Sequence, residues 1–167
     1  MIQSGLMDEV NIFGDVWTDG TEEPGFRNRE RPLAETLGAE KIGGTIYLIE
    51  PGQRICPYHW HFGEEEWLLV LEGTVTLRTP AGEHELARGD VVAFPTGPGG
   101  AHDVRGSGNE ASRVLMLSTM SDPEICVYPD SEKLGASAGF LRTDGARARL
   151  LNREAANLEY FDGERTE

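Results

Sequence analysis

Cysteine is nearly missing: Cys56 and Cys126 are the only two in 167 residues, seventy positions apart. That spacing excludes both a disulfide framework and a thiolate-rich structural zinc site, and it leaves two free thiols. Basic residues are also few. Fifteen Lys and Arg stand against 29 Asp and Glu, a net charge of −14, which repels nucleic-acid and anionic membrane surfaces alike. No apolar run approaches the length of a membrane span, and residues 1–9 carry neither a basic start nor an apolar signal core. A cytoplasmic protein with no nucleic-acid or membrane partner is the expectation. Internal repeats and low-complexity tracts are absent as well.

What is present points to many short strands. The chain has the length of one domain, with 38% hydrophobic residues and 21 glycines clustered in turns. Strands are predicted over 45–50, 58–61, 66–71, 74–78, 84–86, 91–94, 102–105 and 113–120, with a further one over 125–128. Turn signals such as Pro51-Gly52, Arg88-Gly89-Asp90 and Gly97-Pro98-Gly99-Gly100 separate them. This is the pattern of an all-β jelly roll. Its expected organisation is an N-terminal arm over 1–39, a barrel over 40–128 and an irregular extension over 129–167. Short helices are expected at Pro32 to Gly38 and at Arg149 to Leu158. The run Trp67 to Leu71 is apolar on both parities, so its strand needs cover on both faces, and a homodimer would supply the second.

The chemical signal is His59-x-His61, then Glu66, then His102 after a Gly/Pro-rich turn. Residues i and i+2 of a strand share a face about 7 Å apart, close enough to converge on one ion. Imidazole with carboxylate suits Fe, Mn, Ni, Zn or Cu, and three histidines with one carboxylate leave positions open for a small-molecule ligand. Glu64 is the alternative to Glu66, whereas His84, flanked by Glu83 and Glu85, reads as an exposed residue. Candidate catalytic residues at the barrel mouth are Tyr47, Arg54 and Tyr58, with Glu64 or Glu65 as further proton carriers. Cys56 reads as a small buried hydrophobe.

Gly52, His59, His61, Glu66 and Gly73 resemble the first motif of the cupin superfamily, and Gly89, Pro95, Gly97 and His102 resemble the second. The match departs from the usual pattern by one extra residue before His59 and by two in the loop entering His102. The resemblance covers about residues 40–120 and implies a double-stranded β-helix with His59, His61, Glu66 and His102 as ligands of one divalent metal. Tyr128 to Lys133 and Tyr160 to Glu164 are similar to tail segments of small bacterial single-domain cupins. Cupins include oxygenases, isomerases, epimerases and decarboxylases, so the resemblance implies a metal-dependent enzyme acting on a small organic molecule. The alternative is a non-catalytic cupin that binds or senses a small ligand.

Overall fold

A computed structural model describes residues 8–139 and 147–153. Thirteen strands follow in order: β1 Thr18–Asp19, β2 Asn28–Pro32, β3 Ile42–Ile49, β4 Trp60–His61, β5 Glu66–Glu72, β6 Thr74–Thr79, β7 Gly82–Ala87, β8 Val91–Phe94, β9 Asp103–Gly106, β10 Ser112–Thr119, β11 Glu124–Tyr128, β12 Lys133–Ala138 and β13 Ala148–Arg153. They form a six-stranded sheet in the order β1-β2-β3-β10-β5-β8, a four-stranded sheet β13-β12-β11-β4 and a three-stranded sheet β7-β6-β9, with antiparallel pairing throughout. The architecture is the expected double-stranded β-helix.

Alternation along the strands builds the core. In β5, Leu68 and Val70 are fully buried while Trp67 between β5's inward positions stays 47% exposed, the two-residue period of a strand with one wet face. Leu68 and Val70 join Ile49, Val75, Leu77, Leu86, Phe94, Val104 and Val114 between the sheets. The chain crosses from the six-stranded to the three-stranded sheet at Gly73, which lies at φ 76°. A Cβ there would stand 2.8 Å from the Ser112 hydroxyl, so the crossover needs glycine for its dihedral and for its close approach.

The outer face of β5 and β10 is covered in part by the chain's own arm. Leu33, Ile46 and Leu115 form a second cluster against which Val10, Ile12, Trp17, Leu69, Leu71 and Leu117 pack. The arm also contributes backbone, because β2 pairs with β3 from Asn28↔Ile49 to Pro32↔Thr45. Arg29 and Arg31 alternate with Glu30 along that strand.

Two helix expectations had different outcomes. Helix α1 spans Ala34–Leu37 and ends at Gly38 in the left-handed conformation, φ 65°, although Pro32 closes β2 instead of opening the helix. Arg149 to Leu158 is not helical over its described part: Ala148–Arg153 is a strand, paired with β12 from Ala138↔Ala148 to Lys133↔Arg153. Residues 154–158 and the segment Tyr160 to Glu164 lie outside the described residues. The partner strand β12 occupies a stretch that reads as a polar connection, so the extension is more regular than its sequence. Among the described residues no helix is long and apolar enough to cross a membrane.

Candidate functional site

Each sheet of the barrel delivers part of one cluster. His61 closes β4 in the four-stranded sheet, and Glu66 opens β5 in the six-stranded sheet. His102 immediately precedes β9 of the three-stranded sheet and forms an isolated antiparallel bridge with His59. Backbone hydrogen bonds fix that bridge in both directions, His59 N–H to the His102 carbonyl at 3.1 Å and His102 N–H to the His59 carbonyl at 2.9 Å.

The lengthened loop before His102 keeps the residue in place. Residues Pro98–Gly100 make a 3-10 turn, and Gly100 lies so close to the Pro95 carbonyl that a Cβ would overlap it. The Gly100 carbonyl then accepts from His102 Nδ1 at 2.9 Å. Phe94 stacks on the His102 ring, 3.8 Å between centroids and 9° between planes. The two added residues are thus absorbed by the turn.

The side chains converge on one oxygen. Glu66 Oε2 is 3.2 Å from His61 Nε2, 3.3 Å from His102 Nε2 and 3.9 Å from His59 Nε2. Every far nitrogen has its own acceptor: His59 Nδ1 donates to the Pro57 carbonyl at 2.9 Å, His102 Nδ1 to Gly100, and His61 Nδ1 to Glu124 Oε1 at 3.2 Å. A carbonyl can only accept, so these contacts place the proton of His59 and of His102 on Nδ1 and leave the Nε2 lone pairs of those two neutral rings facing Glu66.

Electrostatics divides the three rings. Burial, with His102 and His61 adding to it, pushes His59 down to about 4, and burial likewise lowers His102. Burial also disfavours a charged His61, but Glu66, Glu64 and Glu124 outweigh it and raise that pKa. Glu66 responds in the opposite sense: burial would raise its carboxyl, yet His61 and the other two imidazoles hold it low. The cluster therefore keeps a carboxylate and two neutral imidazoles at neutral pH.

Donor chemistry and orphaned atoms fit a divalent ion. His61 Nε2 and Glu66 Oε2 are buried without a hydrogen-bond partner despite lying 3.2 Å apart, a costly arrangement in a protein interior and one that an ion would relieve. His59, Glu66 and His102 place one donor atom each within 4.8 Å of one another, as do His59, His61 and Cys126. Cys126 is a donor that its sequence position does not reveal. Burial raises its thiol to about 11 and takes the Cys56 thiol well above its ordinary value. Cys56 Sγ lies 3.4 Å from His59 Nδ1.

The cluster opens into a two-lobed cavity, about 620 Å³ on one side and 720 Å³ on the other, with Glu30, Tyr47, His59, His61 and Arg149 lining both lobes. Of the candidate catalytic residues, Tyr47 lines this space. Arg54 does not: its Nε binds Asp103 Oδ2 at 2.9 Å. Tyr58 lies under the Arg78 guanidinium, 4.0 Å from ring centroid to Cζ, away from the cavity lining. Glu64 lines the second lobe and accepts from the Ser121 N–H, while Glu65 is exposed and accepts from Trp67 Nε1. His84 is exposed. Sequence reasoning missed Glu30, Glu124 and Arg149, which reach the cavity through strand pairing over separations of tens of residues and carry no local signal.

The model of the cupin domain family matches residues 45–118. Among solved structures, a protein of Acidithiobacillus ferrooxidans provisionally named a sugar phosphate isomerase is 29% identical, with a TM-score of 0.65 over 76% of this chain and 78% of that one. The polyketide cyclase RemF of Streptomyces resistomycificus is 25% identical, with a TM-score of 0.56 over 70% and 81% of the two chains. A sugar phosphate isomerase of the cupin superfamily from Silicibacter pomeroyi, 23% identical with a TM-score of 0.69 over 81% and 82%, shares the fold. No curated protein matches the sequence.

Proposed function

Since the chain carries a cupin domain over residues 45–118, we propose that it is a divalent-metal enzyme that isomerises a small polyhydroxy carbonyl compound. The observation that carries this reading is the convergence of three Nε2 atoms on Glu66 Oε2 at the wall of a cavity that also presents Glu30 and Tyr47. His59, His61, Glu66 and His102 would hold one ion from the set Fe, Mn, Ni, Zn and Cu. Such an ion supplies a Lewis acid that polarises a carbonyl and acidifies the neighbouring C–H.

The chain's own groups handle the proton. Glu30 and Tyr47 are directly opposed in the β2–β3 ladder and both line the two lobes. The Glu30 carboxylate takes the proton from the hydroxyl-bearing carbon next to the carbonyl and returns it to the former carbonyl carbon, while the proton of that hydroxyl passes to the former carbonyl oxygen, so no net proton is gained or lost. Tyr47, whose pKa is raised by burial and by nearby anionic groups including Glu30, remains protonated and donates a hydrogen bond to a substrate oxygen. The likeness at 29% identity to a protein provisionally named a sugar phosphate isomerase supports the same class.

The test is elemental analysis of untagged protein, followed by a nuclear magnetic resonance screen of aldoses, ketoses and their phosphates for interconversion. One ion per chain with turnover, lost in Glu30→Gln while the ion stays, is the expected result. Metal without turnover on any sugar would favour a binding protein. Consumption of dioxygen would favour an oxygenase.

A further inference from the structure

The His59, His61, Glu66 and His102 cluster lies inside the matched domain, but three charged residues of the cavity wall do not: Glu30 comes from β2, Glu124 from β11 and Arg149 from β13. Among the described residues Arg149 is the one lysine or arginine lining the two lobes, and the carboxylates that line them are Glu30, Glu64, Glu66 and Glu124. Despite that company, and despite a net charge of −14, the exposed side chain of Arg149 makes no ion pair or hydrogen bond with a described residue. Four arginines of the barrel are engaged: Arg54 with Asp103, Arg78 with Asp130, Arg105 with Glu83, and Arg113 with Asp15 and Glu72. Directly across the ladder from Arg149 stands Ser137, whose residue lines the second lobe beside it.

We propose that Arg149 and Ser137 form an anion subsite that holds the terminal phosphate of the substrate while its other end faces the His59, His61, Glu66 and His102 cluster. A guanidinium stays charged at any working pH and offers two parallel N–H donors to phosphate oxygens; a neighbouring hydroxyl supplies a third donor to the remaining one. Glu64 and Glu124 disfavour an anion on the walls of the second lobe away from Arg149, and the proposed orientation puts the polyol end at the metal and the phosphate end at β13. Specificity then resides in a strand outside the matched domain. This inference rests on the proposed function for the role of the metal end only.

The test is calorimetric titration of the metal-loaded full chain with ribitol 5-phosphate, ribonate and ribitol, three non-reacting probes that differ in one terminus. Wild type is expected to bind ribitol 5-phosphate at least about tenfold more tightly than ribitol, with ribonate between them. Arg149→Gln removes the preference and leaves ribitol affinity unchanged; Arg149→Lys keeps part of it, since a point charge replaces a fork. Equal binding of the phosphate and the polyol, binding of neither, or a preference that survives Arg149→Gln would each overturn the subsite. The same titration on the His59→Ala/Glu66→Ala chain separates the two ideas. An arginine-dependent phosphate preference that persists there, with no metal found in wild type, keeps the subsite and discards the metal reading.

Discussion

At the residue scale, His61 is the pivot, because its Nε2 faces Glu66 and its Nδ1 is held by a buried Glu124. Outer partners of this kind fix ring orientation, and their loss commonly weakens metal affinity about 10- to 100-fold. Glu124→Gln should therefore lower affinity for added Zn or Mn by a factor in that range in a chelator competition, without unfolding the barrel. His59→Ala should abolish stoichiometric loading altogether. Acid acts on the same groups. His59 titrates near 4 in the folded, metal-free chain and near 6.5 when unfolded, so its contribution is intact above the unfolded value. Stability is lost as pH falls from there towards 4, because the unfolded chain takes up a proton that the folded one refuses. Glu66, held low when folded, adds to that loss as it protonates, and His61, raised, opposes it. Urea melts of metal-free protein at pH 7.5 and pH 5 should show the lower midpoint at pH 5; equal midpoints would contradict the buried neutral imidazole.

At the scale of elements, the approach to His102 is decided by backbone contact. Gly100→Ala would press a methyl into the Pro95 carbonyl and shift the turn whose own carbonyl orients His102. The expected result is a folded protein with impaired metal loading, read by circular dichroism beside elemental analysis. The arm makes a second prediction. Leu33, 7% exposed, packs on Ile46 and Leu115, and its truncation to Ala should cost about 2–4 kcal/mol in a denaturant melt. A smaller loss would mean that the arm lies on the sheet without anchoring it. Residues 45–50, 66–71 and 91–94 are legible as strands because short apolar runs bounded by turn residues mark them locally. The extension was not: Lys133–Ala138 and Ala148–Arg153 are strands because each pairs with its neighbour, a long-range choice that Gly, Ser and Arg do not announce.

For the whole molecule, the expected homodimer remains a proposal. The arm covers Leu69 and Leu71 but leaves Ile42, Trp67 and Val91 at 60%, 47% and 53% exposure, a face that a second copy would cover. Light scattering should give about twice 18.3 kDa, and Trp67→Arg should return the chain to one copy; a monomeric wild type would end the idea. The sequence by itself determined the strand-rich barrel and the residue types of the cluster, because short apolar runs, glycine turns and the His-x-His spacing act within a few residues. Only the tertiary structure decided which atoms meet. Glu124 on His61, Cys126 beside the ring pair, Glu30 opposite Tyr47 and Arg149 across the cavity are brought in by sheet pairing, and pairing partners are selected by burial and backbone hydrogen bonding over the whole chain.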